Sequence, residues 1–128
     1  LQGASAIQAA LEEAANARLR VFVVWEPVLP TDWAPPTTTA LTRISDRRAA
    51  QFWDHGRLLS ERMWAAGVRS PLAGSVIWDF VALFPPGARW DAAFPKPAFT
   101  GAPVANVRGD VRLLLRQGFQ PPATPGRP

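Results

Sequence analysis

The side chains that commonly perform covalent or acid–base chemistry are scarce in this sequence. It has no cysteine, and its single histidine, His55, follows Asp54. Thiol–disulfide exchange requires a thiolate, so these residues cannot perform it. His55 and Asp54 could form half of a metal site or acid–base pair, but a metal needs more converging ligands. An aspartate at a helix start is ordinarily a cap. We therefore predict no catalytic residue, no bound metal and no cofactor.

Asp79 is the second polar candidate, because it interrupts the apolar run of residues 76–84. A carboxylate in a buried strand needs a partner, or its pKa rises. One interpretation is an ion pair with an arginine, or a position at the exposed end of the strand. The other is a polar group in a functional groove near Glu26 and Trp78. The first is favoured, since structural ion pairs also perturb carboxylates.

Two loops combine aromatic residues with prolines. Trp33 lies in residues 29–36, and Phe94 and Phe99 lie in residues 91–103. Exposed aromatic side chains are typical anchors of protein interfaces. The sequence therefore predicts an interaction surface for a protein partner or for a second copy of the chain. Its candidate residues are Glu26, Trp33, Trp78, Asp79, Phe94 and Phe99.

The formal net charge is +4, from 14 basic and 10 acidic residues. A nucleic-acid-binding protein concentrates its basic groups on one face, whereas here they are scattered, which argues against nucleic acid as the partner. The densest pair, Arg47 and Arg48, is expected at a solvated turn. An anionic surface remains an alternative partner, through the arginines of the last predicted helix. These are Arg108, Arg112 and Arg116.

The composition predicts one folded domain, because 48% of the residues are apolar and the length suits a single core. We expect the domain to cover residues 1–118 and a disordered, proline-rich tail to cover residues 119–128. No apolar run approaches the ~20 residues of a membrane span, and no signal peptide is recognised. The absence of cysteine fits both redox environments, so the compartment stays open between cytoplasm and cell envelope.

Hydrophobic periodicity and turn residues predict alternating helices and strands. The predicted helices are residues 4–17, 37–44, 56–66 and 108–117, and the predicted strands are residues 20–28, 49–53, 76–84 and 88–90. The last two strands are expected to pair as an antiparallel hairpin across the Pro85-Pro86-Gly87 turn. Alternation of strands with helices favours an α/β fold with a mixed sheet.

Three segments carry a resemblance to a known family. They are VFVVWEP at residues 21–27, AAQFWD with the following HGRLLSERMWAAGV at residues 49–68, and WDFVALFPPGARW at residues 78–90. In this order, over residues 4–90, the chain resembles the TlpA/redoxin branch of the thioredoxin-like superfamily, and we expect a bacterial source. The resemblance implies a mixed sheet flanked by helices.

The sequence departs from that family at its redox site. The family has a CxxC motif, carried by a strand, directly before the first helix, and a proline just before the hairpin. Neither is present here, and residues 76–79 contain no proline. In the family, the motif-bearing strand lies between the strand matching residues 21–27 and the hairpin. Without it, both neighbours would have unpaired backbone groups along one edge.

The resemblance with these departures implies a non-catalytic domain that acts as a protein-binding or structural module. The alternative is a truncated TlpA-like thiol:disulfide oxidoreductase whose CxxC motif lies upstream of Leu1. The open position in the sheet would be filled by upstream residues, by a strand from another chain, or by rearrangement of the sheet.

Overall fold

Four helices and four strands alternate in the computed structural model, which describes residues 2–29, 31–72 and 74–118. In chain order they are α1 (Gln2–Glu13), β1 (Val21–Trp25), α2 (Thr38–Leu41), β2 (Ala49–Trp53), α3 (Leu58–Ala65), β3 (Val81–Leu83), β4 (Phe99–Gly101) and α4 (Val104–Gln117). The prediction of a mixed α/β protein is confirmed. The predicted disordered tail, residues 119–128, lies outside the described residues.

The strands form two separate two-stranded sheets. β1 and β2 are parallel, with Val21 opposite Ala49 and Trp25 opposite Trp53. The connection through α2 supplies the crossover that a parallel pair requires. β3 and β4 are antiparallel, with Leu83 opposite Phe99.

The prediction that residues 88–90 pair with β3 as a hairpin was wrong. Residues 88–90 form no strand, and the chain pairs with β3 only when it returns at residues 99–101. The intervening loop is organised by its own aromatic rings, because Phe94 packs edge-to-face with Phe84 at 5.7 Å and with Trp90 at 5.0 Å between ring centroids. Two consecutive prolines after Phe84 also remove the N–H groups that a tight antiparallel ladder would need.

The core lies between α1 and α4. Ala10 and Leu11 of α1, with Ala14 directly after it, are buried against Val111 and Leu115 of α4. Alanines allow the two helices to approach closely, which explains the run of small residues in α1. Both sheets cover this helix pair, through the partly buried side chains Val21, Val81, Leu83 and Phe99.

The directions of the elements follow from a few contacts. Gly3, at the start of α1, lies close to Val104, at the start of α4, because a Cβ built on Gly3 would be 3.4 Å from Cβ of Val104. Glu13, at the end of α1, forms an ion pair with Arg112, further along α4, at 3.2 Å. The helices α1 and α4 therefore begin at the same end of the molecule and run in the same direction. The backbone N–H of Val104 donates to the carbonyl of Asp79 at 3.1 Å, so β3 also begins at this end.

β1 runs in the opposite direction to α1 and β3. Its start follows the end of α1, while its end reaches the segment before β3 through Ser60, which bonds both Glu26 and Ile77. The carboxyl end of β1, the first turns of α1 and α4, and the start of β3 thus lie at one end of the fold. Among the described residues, no helix is long and apolar enough to cross a membrane.

Candidate functional site at the carboxyl ends of β1 and β2

Two carboxylates directly follow the two parallel strands, Glu26 after β1 and Asp54 after β2. Carboxyl ends of adjacent parallel strands meet at one edge of a sheet, where α/β proteins commonly bind ligands. Asp54 accepts a hydrogen bond from the backbone N–H of Leu59 at 2.8 Å and so caps α3, as the sequence predicted. Arg57, just before α3, donates to the carbonyl of Pro27 at 2.7 Å. These bonds hold the start of α3 against the strand ends.

Ser60 connects the site to the segment before β3. Its side chain is buried, with the residue 3% exposed. Glu26 accepts from the backbone N–H of Ser60 at 3.1 Å and also from its hydroxyl group. The Ser60 hydroxyl in turn accepts from the backbone N–H of Ile77 at 3.1 Å. Sequence reasoning missed this residue, and the one available signal was its three-residue spacing from buried Met63, which marks the inner face of α3.

The two carboxyl groups differ in acidity. Burial raises the pKa of Glu26 above its usual range; hydrogen bonds from Ser60 oppose this, and the nearby Asp54 adds to it. Burial alone would raise the pKa of Asp54, but hydrogen bonds from the α3 backbone and from Glu26 outweigh it and leave that pKa below its usual range. Glu26 is therefore the carboxyl of the pair that keeps its proton to higher pH.

Replacing Glu26 by glutamine is expected to flatten the pH dependence of stability above pH 4.5, the ordinary pKa of its carboxyl group. A carboxyl whose pKa is raised in the folded state favours folding while it is protonated, and this contribution is lost as the pH rises through the raised pKa. The wild-type chain should therefore become less stable as the pH rises toward neutrality, and E26Q should not. Urea unfolding midpoints between pH 4.5 and 8 measure this, and matching profiles would contradict it.

A groove of about 740 Å³ opens beside this cluster. Trp33 projects into it and is 73% exposed. The loop that carries Trp33 is held by Asp32, whose carboxylate accepts from the backbone N–H groups of Val28 at 3.1 Å and Leu29 at 2.8 Å. The ring centroids of His55 and Trp33 are 6.4 Å apart. Other lining residues are Pro27, Leu29, Arg57, Glu61 and Trp64.

The structure brings some of the predicted surface residues together. Trp33 lines the groove, and Glu26 is hydrogen-bonded to Ser60, which also lines it. Trp78 is 40% exposed and adjoins Ile77, which also bonds Ser60. Their role in binding a partner stays a prediction.

The remaining predicted residues lie elsewhere. Asp79 precedes β3 instead of interrupting a strand, and its carboxylate accepts from the backbone N–H of Val104 at 3.2 Å, at the start of α4. No arginine of residues 2–29, 31–72 or 74–118 forms an ion pair with Asp79, so the expected ion pair is corrected to a helix-start contact. Phe94 packs in the loop cluster before β4, and Phe99 packs against the α1/α4 core.

The last predicted helix extends over Val104–Gln117, and two of its arginines are engaged. Arg108 and Arg112 both pair with Glu13 of α1, at 2.6 and 3.2 Å, which lowers the pKa of that carboxyl below its usual range. These two ion pairs neutralise part of the positive charge that α4 would need in order to bind an anionic partner.

The arrangement can hold a proton, bind polar groups and pack against apolar ones. In the part of the chain that the structure describes, no three histidine, aspartate or glutamate side chains converge on a common point as metal ligands would. Comparisons with models of protein families, with curated proteins and with solved structures find no match to this chain.

Proposed function

We propose that this chain forms a thioredoxin-like domain whose sheet binds an extended polypeptide segment between β1 and β3. Its function is then that of a protein-binding module, without catalysis by its own residues. The observation that carries the proposal is a pair of strand edges, one on β1 and one on β3, with which no described strand pairs although both strands lie on the same helix pair.

The open edge of β1 is defined by its pairing with β2. The backbone N–H of Val21 donates to Arg48 at 3.0 Å, and the carbonyl of Trp25 accepts from Asp54 at 2.8 Å. Backbone groups alternate between the two sides of a strand, so Phe22 and Val24 direct theirs to the opposite edge. Within the described residues, no hydrogen bond reaches the backbone of either residue. An unpaired strand edge is a template for another strand.

The open edge of β3 is defined in the same way. The carbonyl of Leu83 accepts from Ala98 at 2.7 Å, beside β4, so Ala82 directs its backbone groups away from β4. β1 and β3 run in opposite directions. A segment between them would be parallel to β1 and antiparallel to β3, and would join the two pairs into one five-stranded mixed sheet. The position of that segment, between β1 and β3, is what the thioredoxin resemblance implies for the motif-bearing strand.

The surroundings restrict the chemistry of the bound segment. The helix-facing side offers apolar core, because Val21 and Val81 both pack there against buried side chains such as Leu11. The opposite side has Phe22 and Phe52, which are 66% and 51% exposed, with ring centroids 6.3 Å apart. Apolar residues therefore suit the helix-facing positions of the segment, and aromatic or β-branched residues suit the positions beside Phe22 on the exposed face. The segment that fits is therefore about five residues long, apolar, and without proline at its centre.

Hydrogen exchange at individual amides tests the proposal. In the isolated 128-residue chain, the amides of Phe22 and Val24 should exchange rapidly, while those of Val23 and Trp25 should be protected by β2. In protein purified from its native source with its partners retained, the amides of Phe22 and Val24 should become protected. Protection of both amides in the isolated chain would show that the edge is already covered, and would overturn the proposal.

One observation also favours a second candidate, a thiol:disulfide oxidoreductase whose cysteines belong to the inserted segment. A segment parallel to β1 would end beside Glu26, at the start of α1, where a CxxC motif would meet a carboxyl whose pKa is raised by burial. Intact mass of the natively expressed protein, with and without a thiol-alkylating reagent, separates the two. A mass near 13.9 kDa that does not shift favours the cysteine-free module, and a heavier, alkylated species favours the oxidoreductase.

A further inference from the structure

The groove beside α3 presents two exposed indole rings. The Asp32 turn holds the backbone of the loop that carries Trp33, and Trp64 is covered on one face by the guanidinium group of Arg69, 3.7 Å from the ring centroid. Arg69 is itself fixed, since it donates to the carbonyls of Trp64 at 2.8 Å and Val68 at 2.9 Å. Trp64 nevertheless remains 42% exposed. An exposed indole that is already ordered, as that of Trp64 is, binds a partner with little loss of conformational entropy.

Both indoles have a hydrogen-bond donor that the described residues leave unused. The Nε1–H of Trp25 donates to Gln51 at 3.0 Å, but no described residue accepts from Nε1 of Trp33 or of Trp64. A ligand of this groove should therefore combine apolar surface with free carbonyl oxygens. Polyproline II segments have this combination, because their backbone carbonyls are not bonded internally, and aromatic-lined grooves are their usual receptors.

The sequence itself contains such a segment. Residues 121–128 read PPATPGRP, and Pro122, Pro125 and Pro128 recur every third residue. A polyproline II helix has three residues per turn, so these prolines would form a single ridge. Such a ridge matches a groove whose walls are separate aromatic rings.

Charge supports the same match. Glu61 lines the groove, and it takes part in no ion pair with the residues that the structure describes. The proline segment has one charged residue, Arg127, between Pro125 and Pro128. An arginine adjoining a proline ridge can pair with a carboxylate at the rim of the groove.

The complete proline ridge cannot occupy the groove of its own chain. The start of α4 lies near the groove, because Val104 bonds Asp79 and the neighbouring Ile77 bonds Ser60 of the groove lining. From there the 14 residues of α4 run away for about 21 Å. From Gly118 the chain can extend at most about 14 Å to Pro122, less than the length of α4. Pro122 therefore cannot return to the groove of its own chain, and a ridge that includes all three prolines must come from a second copy.

We propose that the groove of one copy binds residues 122–128 of a second copy as a polyproline II helix. Trp33 and Trp64 pack on the proline ridge and donate to its carbonyls, and Glu61 pairs with Arg127. This association uses different residues from the strand edge of β1 and does not depend on it.

Sedimentation of the full chain over a range of concentrations tests this inference. The wild type should associate as its concentration rises, and the variant P122A/P125A/P128A should bind at least about tenfold more weakly. W33A/W64A should show the same loss, whereas W90A, which removes an exposed tryptophan outside the groove, should associate like the wild type. E61R and R127E should each weaken association, and the double variant should recover it.

Two results would overturn the inference. One is a wild type that stays monomeric at its highest soluble concentration. The other is a triple proline variant that associates as strongly as the wild type, which would assign the contact to another surface, such as the open strand edges. The proline substitutions lie outside the eight helices and strands, so this variant decides the question even where W33A/W64A fails to fold.

Discussion

Replacing Arg48 by alanine is expected to lower the free energy of unfolding by about 3 kcal/mol, because its guanidinium group joins three parts of the fold. It donates to the carbonyls of Leu11 at 2.8 Å and of Ala14 and Ala17 at 2.9 Å, and so caps the end of α1. It also pairs with Asp46 at 2.8 Å. The substitution would leave Asp46 with the backbone N–H of residue 48 as its remaining donor, and the carbonyl of Ala17 with no donor among the described residues. Urea unfolding measures the loss.

Arg47 provides the matched control, since it is the exposed neighbour with the same side chain. R47A should change the free energy of unfolding by no more than about 0.5 kcal/mol. R48K tests geometry, because a lysine ammonium cannot reproduce the planar fork that reaches several acceptors, and we expect it to recover only part of the loss. Equal stability of R48A and R47A would show that the cap contributes nothing.

The pH dependence of R48A should change as well. The hydrogen bond from Arg48 lowers the pKa of Asp46 to about 2. A lowered carboxyl pKa stabilises the folded chain above the ordinary value of 3.8, and this contribution disappears as the pH falls through about 2. The wild type should therefore lose stability over that acidic range, and R48A should lose less.

The role of Arg48 shows where sequence reasoning reached its limit. The pair Arg47 and Arg48 was expected at a solvated turn, and Arg47 is exposed. Arg48 lies in the same turn but points inward to the end of α1, more than thirty residues away in the sequence. Local patterns describe periodicity within an element, and they do not contain the long-range contact that orders this side chain.

Elements with a clear local pattern were predicted well. β2 was predicted at its observed bounds, and Asp54 was identified as the cap of α3, because an apolar run ending in an aspartate is a strong local signal. The partner of β3 was missed because its pairing depends on the aromatic cluster of the intervening loop. β4 is three residues long and contains Gly101, which weakens any strand pattern.

The candidate site was predictable only in part, for the same reason. Glu26 and Trp33 drew attention by residue type and by position next to a strand or in a proline-rich loop. Ser60 did not, although it connects Glu26 with Ile77, because a serine in a helix is ordinarily a surface residue.

Proline substitution along β1 should separate its paired edge from its open edge. Val23 directs its backbone toward β2 and Val24 directs its backbone away. V23P would remove a ladder hydrogen bond and leave a carbonyl of β2 unpaired, whereas the N–H that V24P removes has no partner among the described residues. We therefore expect V23P to cost at least about 2 kcal/mol more than V24P in the free energy of unfolding.

The same two variants connect stability with the proposed function. V24P should remain folded in the isolated chain, with the far-UV circular dichroism of the wild type, yet it should lose the bound segment because a proline cannot donate to an added strand. Retention of partners by V24P in native purification would contradict strand addition at β1. Equal destabilisation by V23P and V24P would instead mean that both edges of β1 are paired. The comparison therefore tests the open edge through stability and through binding, and the two readouts are independent.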